Sequence, residues 1–544
     1  DGTGGGTTSL NHGVVLNTGG SIETASGSIT IDGQGSTLGI TLNNGVYLTS
    51  GTSTTTASGI VTIEGTGGGN GTSTTNNGIR IESGSQVEST GAGSPGTVTL
   101  TGTAGTGTND NQGVLVTGVI SSVESVDANI TIIGTGNGTG TACDGINTET
   151  SGKVNSSGTG SLSLTGIASA TGVSSRGVII TASAIAEANT GGITIAGTSA
   201  ASSFSSGLLV TSSGIIRSLS ASGGQDIMLT GISLEYPGFN MNNSSLTSLS
   251  ADIIINGTTQ NGAAGGVGLF LNDCLISATS GDVSLTGTGA TGNITASPGV
   301  ELFANTSITT DTGNITITGI GNGTVAGSHG IALLSNNFIG SLGTGGGTIT
   351  LSGTASTTSN SDNGVQILEG TVQGAGSSNI IIGGTGGGTS TSNGIFVDAT
   401  GTIVTASGNI TLTGDSTGTA GNEDLSSLGT IGGGSDSGNI TINANTIDLA
   451  VGSSIQSTGA LAIIPRTAST TVGLGTGSSG TLNLDNTELG TITNGFSLIT
   501  FGSSLSDGAV DMRAFTYLDP LTVYGKSITT NGAVGGGAND ITFN

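Results

Sequence analysis

Tryptophan is absent from this chain, cysteine appears twice, proline five times, and aromatic residues make up only 3% of its 544 residues. A compact globule of this length would divide into several domains, each built round large apolar side chains. So few rings argue against that plan. Basic residues are equally scarce: seven Lys or Arg stand against 33 Asp or Glu, a formal net charge of −26. Phosphates demand clustered cations, so neither nucleic acid nor an anionic membrane surface is expected as a partner. No apolar run reaches the ~20 residues of a membrane-spanning helix, and membrane insertion is not expected. There is no initiator Met or signal peptide either. The chain opens at Asp1 in the middle of a repeat, which reads as a processed piece or a section of something longer.

Glycine, by contrast, is abundant, with 106 residues. High glycine and low charge could indicate disorder, but disordered chains are poor in β-branched apolar residues, and here those residues recur in phase. An apolar-Thr/Ser-apolar triplet appears as Ile29-Thr30-Ile31, Val61-Thr62-Ile63, Val98-Thr99-Leu100, Ile130-Thr131-Ile132 and Leu162-Ser163-Leu164. It continues, with some all-apolar variants, at Ile193, Ile227, Ile253, Val283, Ile315, Ile349, Ile380, Ile410 and Ile440. The interval is mostly about 30–34 residues, the scale of a solenoid.

A second landmark follows many triplets: glycine and then an apolar-x-apolar run, as in Gly45-Val46-Tyr47-Leu48, Gly78-Ile79-Arg80-Ile81, Gly330-Ile331-Ala332-Leu333 and Gly394-Ile395-Phe396-Val397. A third, weaker apolar position follows at Val87, Ile185, Ile308, Val372 and Ile403. Three short runs of period-two alternation per repeat predict three half-buried strands per coil, with Ile315 and Ile317 inward and Thr316 and Thr318 outward. The expected fold is therefore all-β: a parallel β-helix with three short strands per coil and about 18 coils of mostly 30–34 residues. Between the first two strands lies a Gly/Thr/Ser/Asn loop, such as residues 65–77, which would form one ridge of the solenoid. Residues 1–439 keep this long loop. Residues 440–544 are expected to continue the helix in tighter, less regular coils, with anchors at Leu461, Leu482, Val510 and Ile541. By this register Cys143 and Cys274 lie four coils apart, about 19 Å at strand spacing. A disulfide spans at most ~7 Å, so an intrachain bond is not expected.

The phrases Gly281-Asp-Val-Ser-Leu-Thr-Gly287, Gly313-Asn-Ile-Thr-Ile-Thr-Gly319 and Gly408-Asn-Ile-Thr-Leu-Thr-Gly414 resemble those of filamentous-haemagglutinin-type repetitive surface proteins of Gram-negative bacteria and cyanobacteria. Gly480-Thr-Leu-Asn-Leu-Asp485, followed by Gly495-Phe-Ser-Leu-Ile-Thr-Phe-Gly502, is similar to a recurring unit of that family. The resemblance covers nearly the whole chain. It implies a right-handed β-helical rod that is secreted and displayed at the cell surface.

Catalytic chemistry is weakly signalled, and no enzyme is expected. Asp282, Glu301 and Asp311 fall within about one coil without a nearby Lys or Arg, and His12 and His329 stand alone, with no zinc-like spacing. No cofactor is assigned. Calcium is the one left open, because Asn109-Asp110-Asn111 and Asn360-Ser361-Asp362-Asn363 offer loop oxygens, yet Asn and Asp before Gly are ordinary turn residues. The Thr ladder from Thr30 to Thr441 is broken by Met228, Ile254 and Ile381, which favours plain β-propensity over ice binding. Sequons such as Asn70, Asn137, Asn256, Asn293, Asn305 and Asn322 are frequent by chance in so Thr-rich a chain.

The termini are more informative. Ile541-Thr542-Phe543-Asn544 reads as an anchor triplet, and the Gly-rich start from Asp1 as its loop. Gly13, Val14 and Leu16 then mark the second strand. These residues form the candidate end-to-end interface through which further copies, in tandem or as stacked subunits, would extend the helix head to tail. The leading expectation is thus a structural unit of an extracellular fibre, sheath or surface layer, open to lateral fibre contacts or glycans. The alternative is a rod-like adhesin stalk that binds glycans or surfaces, for which Phe515, Tyr517 and Tyr524 offer the nearest aromatic cluster.

Overall fold

The fold was analysed on a computed structural model, which describes residues 1–544 except 94, 201–203, 262–265, 293–294, 389 and 417–420. The chain is an all-β parallel β-solenoid with three parallel sheets and about 14 turns. It divides into two compact units, Asp1–Leu285 and Thr286–Asn544. We call the sheets A, B and C in the order in which each coil visits them.

In the first unit the triplets stack on one another in sheet A. Ile29 lies opposite Val61, Val61 opposite Val98, Val98 opposite Ile130, and Ile130 opposite Leu162. Sheet B carries the glycine-led runs, with Val46 opposite Ile79, Ile79 opposite Val114 and Val114 opposite Ile146. Sheet C pairs Thr54 with Val87, Val87 with Val123 and Val123 with Val154. The second unit repeats the plan: Ile315, Ile349, Ile380, Ile410 and Ile440 are successive neighbours in sheet A, and Val300, Ile331, Val365, Ile395 and Leu425 in sheet B.

Alternation follows the expected phase. Ile315 and Ile317 are fully buried, while Thr316 and Thr318 remain partly exposed. Each inward column is a stack of Ile, Val and Leu, and burying one such side chain stabilises by about 1.5–3 kcal/mol. Ile185 departs from the expectation. It lies opposite Lys153 and is only half-buried, and Ala186 is the inward residue of that strand, opposite Val154. An alanine at the core position had made its larger neighbour look like the anchor.

The glycines have a specific task where sheet A gives way to the loop. A Cβ on Gly33 would lie 2.2 Å from the Gly45 carbonyl oxygen, one on Gly65 2.2 Å from that of Gly78, and one on Gly319 2.0 Å from that of Gly330. The loop leaves and re-enters the coil through a neck at which two backbones touch. Only glycine fits there.

After Ile440 the rhythm changes for a visible reason. Sheets B and C gain their last strands at Ile447–Leu449 and Ser454–Gln456, whereas sheet A continues through Ala460–Ile464, Leu498–Phe501, Leu521–Val523 and Ile541–Phe543. Leu461 and Ile541 therefore sit where expected. Leu482 and Val510 do not: both flank Val472 in a separate four-stranded parallel sheet. Because sheets B and C stop at Ile447–Leu449 and Ser454–Gln456 while sheet A alone goes on, with part of the chain diverted into the separate sheet and a one-turn helix at Asn486–Leu489 capped by Asp485, there are about 14 turns and not 18. Of the tail rings, Phe496, Phe501 and Tyr517 serve as filling, and Phe515 and Tyr524 are half-buried. Tyr517 is buried, with Phe515 and Phe501 edge-on to it at centroid distances of 5.0 and 6.4 Å.

Candidate functional site

The end-strand residues occupy edge positions. Val14, Val15 and Leu16 pair with Val46, Tyr47 and Leu48. At the other end Ile541 and Phe543 pair with Leu521 and Val523. Among the described residues neither strand has a second neighbour. The effect on burial is direct: Val46 and Leu48 are fully buried, but Val14 and Leu16, in the same columns, are only half-buried, and Phe543 is 46% exposed. These edges combine free backbone donors and acceptors with uncovered core side chains, a ready template for another strand.

One detail of register bears on how a following copy would join. Gly2 stands opposite Gly33, with Thr3 opposite Gln34. In regular coils the neck glycine comes four residues after the anchor, as in Ile29/Gly33, Val61/Gly65 and Ile315/Gly319. Across a junction of Asn544 to Asp1, Gly2 comes five residues after Ile541. A one-residue bulge at Asn544 or Asp1 would absorb the difference and keep both faces in phase.

Where loop meets sheet B, the structure reveals two columns that the sequence did not announce. In the first, backbone N–H groups donate to the side chain in the next coil: Asn43 to Asn76 Oδ1 at 3.1 Å, Asn76 to Asn111 Oδ1 at 3.0 Å, and Cys143 to Ser175 Oγ at 3.0 Å. In the second unit Ser328 donates to Asp362 Oδ1 at 2.8 Å, Asp362 to Ser392 Oγ at 3.0 Å, and Ser392 to Asn422 Oδ1 at 2.9 Å. The adjacent column runs the other way. Gln112 N–H donates to Asn77 Oδ1 at 2.9 Å, Asn393 to Asn363 Oδ1 at 2.8 Å, and Glu423 to Asn393 Oδ1 at 2.9 Å. The columns satisfy the backbone at a corner where no strand can, as buried polar groups require.

Several of the residues singled out from the sequence belong to these columns. His12 and His329 hold the same place in their coils, and each accepts a backbone N–H at Nδ1, from Asn44 at 3.2 Å and from Asn363 at 3.0 Å. Burial lowers the pKa of both to about 4, helped at His12 by Arg80, so both rings are neutral at pH 7. Of the loop oxygens considered for calcium, Asn109 Oδ1 accepts from Thr141 N–H, Asn111 Oδ1 from Asn76 and Asp362 Oδ1 from Ser328. No group of three or more His, Cys, Asp or Glu gathers among the described residues. Glu301 faces outward on sheet B beside Ala332, and burial raises its pKa to about 7. Asp282 and Asp311 are exposed. Cys143 and Cys274 are both buried and neither is in a disulfide. The sequon at Asn293 lies outside the described residues. No helix among the described residues is long and apolar enough to cross a membrane.

Comparison with protein families, with curated proteins and with solved structures yields no match.

Proposed function

We propose that this chain is a structural unit of an extracellular fibre, sheath or surface layer, extended by end-to-end continuation of its β-helix. The observation that carries this reading is the pair of edge strands, Val14–Leu16 and Ile541–Phe543, whose core columns are half-covered at one end and open at the other. A further copy laid against either edge would add backbone hydrogen bonds and bury Val14, Leu16 and Phe543. Because the partner surfaces differ, the contact is head to tail and does not close on itself, the geometry that generates filaments. The copies would follow one another in one chain or stack as separate subunits. The likeness of the triplet phrases to haemagglutinin-type surface proteins supports placement at the cell surface. The scarcity of basic side chains supports a partner other than nucleic acid.

The test is assembly of the purified chain followed by light scattering and electron microscopy. Phe543→Pro removes a backbone donor from the open side of the edge strand, the side away from the Asn544 N–H bond to Val523, and Leu16→Asp places a charge in the open column. Both variants should fold, judged by circular dichroism, and lose assembly. Assembly unchanged in both would overturn the proposal.

A further inference from the structure

The second unit carries a groove of about 640 Å³ along the outer side of sheet B, walled on one side by the loop ridge. It runs over successive coils, from His329 through Asn363 and Asn393 to Glu423, with Gln366, Phe396, Ser426 and Asp448 along its floor. Its chemistry is ordered. The Oδ1 atoms of Asn363 and Asn393 are committed to the corner column, which leaves the Nδ2 amino groups as the donors that these two lining side chains can offer, one per coil. His329 accepts at Nδ1 and is neutral, so its Nε2–H is a donor in the same row. Facing this row, Gln366 Oε1 is buried and finds no partner among the described residues. The half-exposed Phe396 ring lies between. At the far end are two carboxylates, Glu423 and Asp448. Burial raises the Glu423 pKa, and the nearby charges of Asp448, Asp424 and Glu488 add to that shift. Among the described residues no Lys or Arg lines the groove.

We propose that this groove is a binding site for an extended sugar chain of hexose units without acidic groups, with an amino sugar preferred at the Glu423–Asp448 end. Donors recur at the coil spacing of ~4.8 Å, close to the advance of one pyranose in an extended chain, so successive hydroxyls meet successive coils. Phe396 offers a flat apolar surface for one sugar face. A peptide fits less well. The backbone groups along the Asn363–Glu423 column already bond from coil to coil, so there is no edge for a strand to join. A polyanion would meet the Glu423 and Asp448 carboxylates and no cation among the described lining residues. The site is independent of fibre assembly, since none of its residues lies in an end strand.

The experiment is calorimetric titration of the full chain with three tetrasaccharides: cellotetraose, the glucosamine tetramer and tetragalacturonate. The expected order is glucosamine tetramer tightest, cellotetraose weaker, and tetragalacturonate without binding. Phe396→Ala should weaken both binders at least tenfold, and Asp448→Asn should weaken the glucosamine tetramer more than cellotetraose, abolishing the preference for the amino sugar. Circular dichroism checks that each variant is folded. The proposal is overturned if neither neutral nor amino tetramer binds the folded chain, or if tetragalacturonate binds as well as they do. It is equally overturned if Phe515→Ala, in the tail cluster, abolishes binding while Phe396→Ala does not.

Discussion

Replacing Gly319 by alanine tests the loop neck, the least conventional part of the coil. A Cβ at this position would stand 2.0 Å from Gly330 O, 2.7 Å from Gly330 C and 2.9 Å from Ile331 Cγ1. Two of these three atoms are backbone, so no rotamer change relieves the overlap. The neck must open by more than 1 Å, roughly the deficit against ordinary van der Waals contact. Overpacking a tight site costs ~1–3 kcal/mol when side chains can yield; with backbone in the way, about 3 kcal/mol is expected. The neck above is equally tight, with Gly353 2.0 Å from Gly364 O, so displacement in one coil strains the next. Gly383 is the control. It lies in sheet A opposite Ser352 and Thr413, and a Cβ there meets nothing within 4 Å. Gly383→Ala should be neutral or stabilise by about 0.4–1 kcal/mol, through loss of unfolded-state freedom. Urea unfolding followed by far-ultraviolet circular dichroism compares the two midpoints. Equal midpoints would refute the neck argument.

Other expectations follow from the same coordinates. Ile317→Asp places an uncompensated charge in a fully buried column and should cost several kcal/mol in urea unfolding, against less than about 1 kcal/mol for Thr316→Asp on the outer face. Comparable losses would mean that the register is slipped by one residue. His329, with its pKa lowered to about 4 from 6.5, is neutral when folded, so its contribution is complete above pH 6.5 and lost as the pH falls towards 4. His329→Asn, which copies its column neighbour Asn363, should remove about 2 kcal/mol of that acid sensitivity, less than the full shift implies because the ring borders the groove. Glu301 has the opposite sign. With its pKa raised to about 7, the folded chain holds a proton that the unfolded chain releases, so Glu301→Gln should stabilise by about 2 kcal/mol at pH 8 and hardly at all at pH 4. Denaturation midpoints at the two pH values check it.

Most of the coil was legible because its signals are local and repeated. The Ile315-Thr316-Ile317 alternation fixes a buried face, and the Gly-led runs mark the second strand. What misled was size and context. Ala186 holds a core place that Ile185 seemed to claim. Leu482 and Val510 carry the same alternation as true anchors, but nothing local tells which of two parallel sheets a short apolar run will join. The corner columns were hidden for another reason. Asn43, Asn76, Asn111, Cys143 and Ser175 change residue type along the column and have in common only a small side chain able to accept one hydrogen bond. Asn-Asn-Gly reads as a turn unless the coils are already stacked. The groove is less legible still, since Gln366, Phe396 and Glu423 come from separate coils.

The central claim is that copies continue one another along the helix axis, and X-ray fibre diffraction from oriented native or reassembled material tests it most directly. Strands in a β-helix run across the axis and stack along it at ~4.8 Å. End-to-end growth therefore predicts a strong meridional reflection at that spacing, parallel to the fibre. The same reflection on the equator would mean that the chains lie side by side across the fibre, and would contradict the account.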